Sequence, residues 1–275
     1  MNVITNFLSV SALALMFPLA GLSQDFEVSP VNFLFNASPG NMQSRTVVIT
    51  NHSNNASNFN LRVEDYDINE EGQRRTRPRG TVRYSCSNWI SVSPSLITID
   101  PNSQGMVKIT MSVPADGLES RWAQIVVSEA HERTSMGADN GTSAGVVLSA
   151  EIVIDVEQTP KDYVDANAVL SSFVELESNP DDPDSRSFSV VVDNKGKTIM
   201  NGMLYVIAAN MDNLSEFDIM KRNVRIMSGS TRKFRLDLGP GTLPPGTYDF
   251  TCLFDMGPSF PLKGIRLKNP VTVTE

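Results

Sequence analysis

The chain has 275 residues, 40% of them hydrophobic, with 23 Lys and Arg against 31 Asp and Glu for a formal net charge of −8. An acidic balance of this size argues against a general binder of phosphate backbones, so nucleic acid is not an expected partner. Two cysteines and two histidines supply neither a disulfide framework nor a natural centre for a metal cluster or catalytic triad.

From the start of the chain, Phe7 to Leu22 (FLSVSALALMFPLAGL) is uncharged, and the small residues Gly21 and Ser23 are placed for cleavage before Gln24. Residues 1–23 therefore read as a signal peptide. The competing reading is a membrane anchor, but the run is shorter than the roughly 20 apolar residues that cross a bilayer and has no basic flank. No stable membrane insertion is expected after cleavage. The mature chain, about 250 residues, fits two domains of common size.

Period two then recurs almost throughout. Phe59, Leu61 and Val63 alternate with Asn60, Arg62 and Glu64. Gln73 to Arg83 (QRRTRPRGTVR) concentrates Arg74, Arg75, Arg77, Arg79 and Arg83 in an otherwise acidic chain; it reads as a solvated loop or as a grip for an acidic partner surface or envelope phosphates. Trp89 to Pro114 (WISVSPSLITIDPNSQGMVKITMSVP) gives short strands broken at Ser93-Pro94 and Asp100-Pro101-Asn102, followed by a longer strand through Val107, Ile109, Met111 and Val113. Glu129 to Gly145 is a long polar connection, and Val146 to Val156 carries the apolar row Leu148, Ala150, Ile152 and Ile154.

Pro160, followed by the polar Lys161-Asp162, marks a boundary, so residues 24–160 and 161–275 read as separate domains. Beyond it, Phe188, Val190 and Val192 stop at Asp193-Asn194-Lys195-Gly196, and Met203, Tyr205 and Ile207 resume the alternation. Phe234, Leu236 and Leu238 lead to the turn before LPPGTYDF, which launches another strand. Strands at this spacing imply an all-β chain of two tandem sandwiches. Cys86 and Cys252, each preceded by apolar alternation, read as buried strand thiols in separate cores, against the alternative of an interdomain disulfide.

The order FEVSPVNFLF, RTVVITN, SVSPSLITIDPNSQGMVKITM, ESRWAQIVVSE, a long loop and GVVLSAEIVIDVEQTP resembles the N-terminal immunoglobulin-like domain of periplasmic pilus chaperones of the PapD type, over about residues 25 to 160. The second half is similar to bacterial immunoglobulin-like domains in general. The resemblance implies a periplasmic, non-enzymatic protein that binds an exported or pilus-type subunit by lending its last N-domain strand, with Leu148, Ala150, Ile152 and Ile154 filling a groove in that subunit. The plainer reading of that row is that it faces its own core. The family anchors its client's terminal carboxylate with an Arg in the first strand and a Lys in the last. Here Pro30 and Val31 stand at the first place, and Val153 or Asp155 at the second.

Other features are ordinary. His52 and His131 lie in polar stretches without ligand spacing. Asp181, Asp182 and Asp184 offer oxygens for calcium, but no sharp-turn Gly or bidentate Glu follows, so a solvated loop is the simpler expectation. No phosphate-binding Gly loop or nucleophile elbow occurs, so no cofactor is expected. Asn51, Asn55, Asn140 and Asn213 fit the glycosylation sequon, which matters only in a eukaryotic source. The rival reading is a secreted or cell-surface protein, a structural or adhesive immunoglobulin-like module of the surface or of the secretion machinery, in which the sheets are scaffold and the loops make the contacts.

Overall fold

The computed structural model describes residues 25–130, 150–161, 164–177 and 185–274. The expected signal peptide, His131, Asn140, Leu148, the acidic run Asp181, Asp182 and Asp184, and nearly all of the Glu129 to Gly145 connection lie outside them.

Alternation becomes two packed sheets in the first half. One contains β1 (Phe26–Ser29), β3 (Met42–Asn51), β8 (Gln104–Ser112) and β6 (Ile90–Ser93), in that spatial order. The other runs β2 (Asn32–Phe35), β10 (Glu151–Gln158), β9 (Arg121–Glu129), β4 (Ser57–Ile68) and β5 (Arg74–Arg77), with β7 (Leu96–Ile99) also paired to β4. The chain switches sheets early: β1 pairs antiparallel with β3, a cis Ser29–Pro30 peptide follows, and β2 pairs parallel with β10. Inward-facing residues of both layers, among them Phe35, Phe59, Ile49, Ile109, Met111, Ile125 and Ile154, fill one core.

The second half repeats the architecture. Its sheets are β11 (Ala168–Glu175), β12 (Arg186–Asn194) and β15 (Thr231–Leu238), and β14 (Glu216–Ile226), β13 (Met200–Asn210), β16 (Gly246–Asp255) and β17 (Lys263–Arg266), with β18 (Val271–Val273) also on β16. Phe188, Val190, Val192, Phe234, Leu236 and Leu238 are buried as their alternation predicts. On β13 the phase is the reverse of the expected one: Leu204, Val206 and Ala208 enter the core, while Met203, Tyr205 and Ile207 are half-buried on the other face. MLYVIA is apolar in both phases, so pairing with β14 and β16 decides what period two cannot. Tyr248, wholly buried, donates its hydroxyl to the Pro244 carbonyl at 2.8 Å, the tyrosine corner of sandwich folds.

Cys86 and Cys252 are free, buried and in separate cores. Burial pushes both thiols up, Cys252 to about 12, so neither is a ready nucleophile. Cys86, however, lies just before the short 3-10 turn Ser87–Trp89 rather than on a strand. Asn51 is also not the acceptor its sequon suggests. It is fully buried; its amide donates to the carbonyls of Asn55, Ile99 and Asp100 while its oxygen accepts from Ser53. Asn194 holds the equivalent turn of the second half, donating to the Thr198 and Ile226 carbonyls and accepting from Gly196.

A third small cluster joins the halves: Tyr66 and Trp122 pack with Ile199 and Met227. Around it the Ser120 amide donates to the Lys197 carbonyl at 2.8 Å, and the Lys233 amide to the Glu70 carbonyl at 2.7 Å.

Below Tyr66, Asp65 is wholly buried and organises the stretch that follows β5. Burial alone would raise its pKa, but hydroxyls of Ser85 and Ser87 and the amides of Val82 and Thr81 outweigh burial and hold it below its ordinary 3.8. A depressed folded pKa means stability that is complete above the unfolded value and is lost as pH falls through the folded one. Asp65→Asn turns an amide toward those donors and is expected to cost about 2–4 kcal/mol at pH 7. In melting curves from pH 7 to pH 2, the gap between mutant and parent should narrow below about pH 4. A gap independent of pH would contradict this role for the carboxylate.

Candidate partner-binding edge

β10 is paired along its whole length on one side and along half of it on the other. Residues 151–158 pair with β9, whereas β2 covers only Asp155 to Gln158. The Asp155 amide donates to the Val31 carbonyl at 2.9 Å, which fixes the direction its backbone faces. Strand alternation then aims the N–H and C=O groups of Val153 and Glu151 to that same side, where no described residue pairs with them. An unpaired edge of this kind is a template for another strand.

The apolar row on β10 changes environment along this edge. Ile154 is fully buried in the first core, Ile152 is half-buried against it, and Ala150 is exposed; Leu148 lies outside the described residues. The row thus leaves its own core as the edge opens. Beside it, Val153 is 40% exposed, Val31 50% and Leu34 61%, so the rim of the edge is apolar.

The opposite row carries charge. Asp155 forms an ion pair with Arg74 of β5 at 2.6 Å, and Glu157 pairs with Arg225 of β14 across the junction between the halves. Burial raises the Glu157 pKa, an effect that Arg225 opposes. The Arg74 guanidinium lies 3.6 Å from the centre of the Tyr66 ring and donates to Gln124. Burial, with the Asp155 charge, pushes the Tyr66 phenol well up. Neither Pro30 and Val31 nor Val153 and Asp155 supplies a cation here; Arg74 and Arg225 do, each already engaged by a carboxylate of β10.

The arginine run is exposed from Arg74 to Arg79, and only its first part departs from a loop. Arg74 to Arg77 form an edge strand on β4, opposite a segment that carries Asp65 and Asp67. Arg77 pairs with Asp67 at 2.8 Å, Arg79 donates to the Ser87 and Ile90 carbonyls, and Arg83 lies over the Tyr84 ring. Arg75 is exposed, across from Asp67 in the pairing. Most of the run is thus committed within the first half. Sequence reasoning missed Arg225 and the counter-ion roles of Asp155 and Glu157.

No family model matches the chain, and no curated protein matches it by sequence. Solved structures do. A chain from a chaperone–tip adhesin complex of CFA/I fimbriae biogenesis superposes with TM-score 0.53 at 8% identity, covering 89% of this chain and 99% of that one. The chain has the fold of a chaperone–usher pilus chaperone. The class 5 fimbriae chaperone CfaA gives TM-score 0.47 at 10% identity over 88% and 97% of the two chains. The CsuC–CsuE chaperone–tip adhesion subunit complex of Acinetobacter baumannii gives 0.41 at 13% over 76% and 89%. In this pilus-chaperone fold, β10 is the last strand of the first immunoglobulin-like domain, and its open half lies where the chain returns from the long connection.

Proposed function

We propose that the protein is a non-enzymatic periplasmic chaperone that binds an exported, pilus-type subunit by strand addition at the open half of β10. The observation that carries this reading is the coincidence of an unpaired backbone edge, Glu151 to Ile154, with an apolar row emerging from the core through Ile152 to Ala150. Backbone groups of such an edge supply affinity, and alternate side chains supply selectivity. Leu148, Ala150 and Ile152 are the residues that enter the subunit, while Ile154 anchors the strand in its own domain.

A terminal carboxylate on the subunit would not find the Arg and Lys of the related chaperones. Recognition therefore rests on the strand and its apolar rim rather than on a free basic pair. Of the four arginines, Arg74, Arg77 and Arg79 are engaged within the domain and Arg75 is exposed; Arg74 also holds Asp155 beside the edge. The test is co-expression in the periplasm with an exported subunit whose sheet lacks one strand. A stoichiometric complex on purification is expected. Recovery of the protein alone, with the subunit degraded as it is without a chaperone, would overturn the reading.

A further inference from the structure

A crevice of about 390 Å³, where β14 and β15 meet the turn between β4 and β5, carries charges that the β10 edge does not use. Arg222, Arg232, Lys233, Phe234 and Arg235 line it, with Ser189 of β12 and Glu71 of the turn. The guanidiniums of Arg222 and Arg232 lie 5.7 and 5.4 Å from the centre of the same Phe234 ring. Among the described residues none of Arg222, Arg232 and Lys233 makes an ion pair, Glu71 included. Arg235, by contrast, is already held by Asp237 at 2.7 Å.

Two like charges against one ring, without a counter-ion, repel each other. Burial and the Arg222 charge both lower the Arg232 pKa. The polar groups around them are also short of partners. Arg232 Nε and Ser189 Oγ are buried without a hydrogen bond, Ser189 being 2% exposed, and the one bond from Arg232 reaches the Arg225 carbonyl at 3.5 Å. Gly72, at φ +89°, brings the turn backbone against the Arg232 guanidinium, where a Cβ would collide with it.

We propose that this crevice binds a phosphate-class dianion, inorganic phosphate or a phosphate monoester. A tetrahedral dianion offsets two positive charges and accepts hydrogen bonds from several directions, which suits converging guanidiniums and an ammonium. A lone carboxylate carries one charge and matches a single guanidinium fork.

Inorganic phosphate is titrated into the mature protein at constant ionic strength, read by calorimetry and by melting temperature. One saturable site is expected, with a melting temperature that climbs with the logarithm of phosphate concentration. Arg222→Gln and Lys233→Gln, both at exposed positions, are each expected to weaken Kd by about tenfold, and Arg45→Gln, exposed on β3 outside the crevice, by less than about twofold. Vesicles of phosphatidic acid separate the sources: sedimentation that free phosphate reverses assigns the site to a lipid headgroup, and phosphate binding without sedimentation assigns it to a soluble phosphate. Absence of saturable binding up to about 20 mM phosphate, or equal weakening by Arg45→Gln and Arg222→Gln, would overturn the site.

Discussion

Trp122→Ala is expected to destabilise the protein by about 3–5 kcal/mol, the range for deleting a large buried aromatic side chain. Trp122 is 5% exposed on β9, where its ring stacks on Tyr84 at 5.7 Å between centroids and its indole donates to the Tyr66 carbonyl at 3.0 Å. Because Ile199 and Met227 from the second half close the same cluster, alanine would leave a cavity at the junction and an unpaired carbonyl within it. The backbone bonds from Ser120 to Lys197 and from Lys233 to Glu70 would remain, so the halves should loosen rather than separate. In urea the parent should unfold in one transition and Trp122→Ala in two, or in one with a clearly lower midpoint. A mutant indistinguishable from the parent would show that the cluster does not couple the halves.

The second large effect divides the apolar row of β10. Ile154→Asp places an unpaired charge in a fully buried position and is expected to cost at least about 3–5 kcal/mol, unfolding the first half or leaving it marginal. Ala150→Asp, at an exposed position, should change stability by less than about 0.5 kcal/mol yet abolish subunit capture, since the charge would enter the subunit groove. Ile152→Asp should fall between the two. Melting temperature and co-purification, measured on all three, separate the anchor from the contact. Equal loss of stability at Ala150 and Ile154 would mean that the whole row belongs to its own core.

Much of the fold was legible because its strands are half-buried. Val107, Ile109 and Met111, or Phe188, Val190 and Val192, advertise their inward face by alternating with polar residues, and the structure buries them. Where both faces are apolar, as in MLYVIA of β13, alternation has no phase, and cross-strand partners chose the face. The ion pairs of the arginine run were not legible because composition cannot see counter-ions: Asp67 and Asp155 are remote in sequence or spaced by a turn, yet they pair with Arg77 and Arg74. One available signal was overlooked. VVITN and VVVDN both end an apolar strand in an asparagine followed by polar turn residues, and Asn51 and Asn194 pin equivalent turns in the two halves.

The candidate edge was legible only as a pattern. Sequence located the row from Leu148 to Ile154 but not which of its members leave the core, because that depends on where β2 stops covering β10. Register supplies the answer: coverage begins at Asn32 opposite Asp155, and the strand before it is open.

Val153→Pro tests strand addition at this edge most directly. The Val153 N–H faces the open side and not β9, so proline removes a donor that no described residue accepts from while leaving the β9 ladder intact. Proline is tolerated at such edge positions. Measured by co-purification with the strand-deficient subunit, beside a melting curve of the free protein, the variant should melt within a few degrees of the parent, a loss of less than about 1 kcal/mol, and capture little or no subunit. Undiminished capture by a folded Val153→Pro protein would contradict backbone pairing at β10.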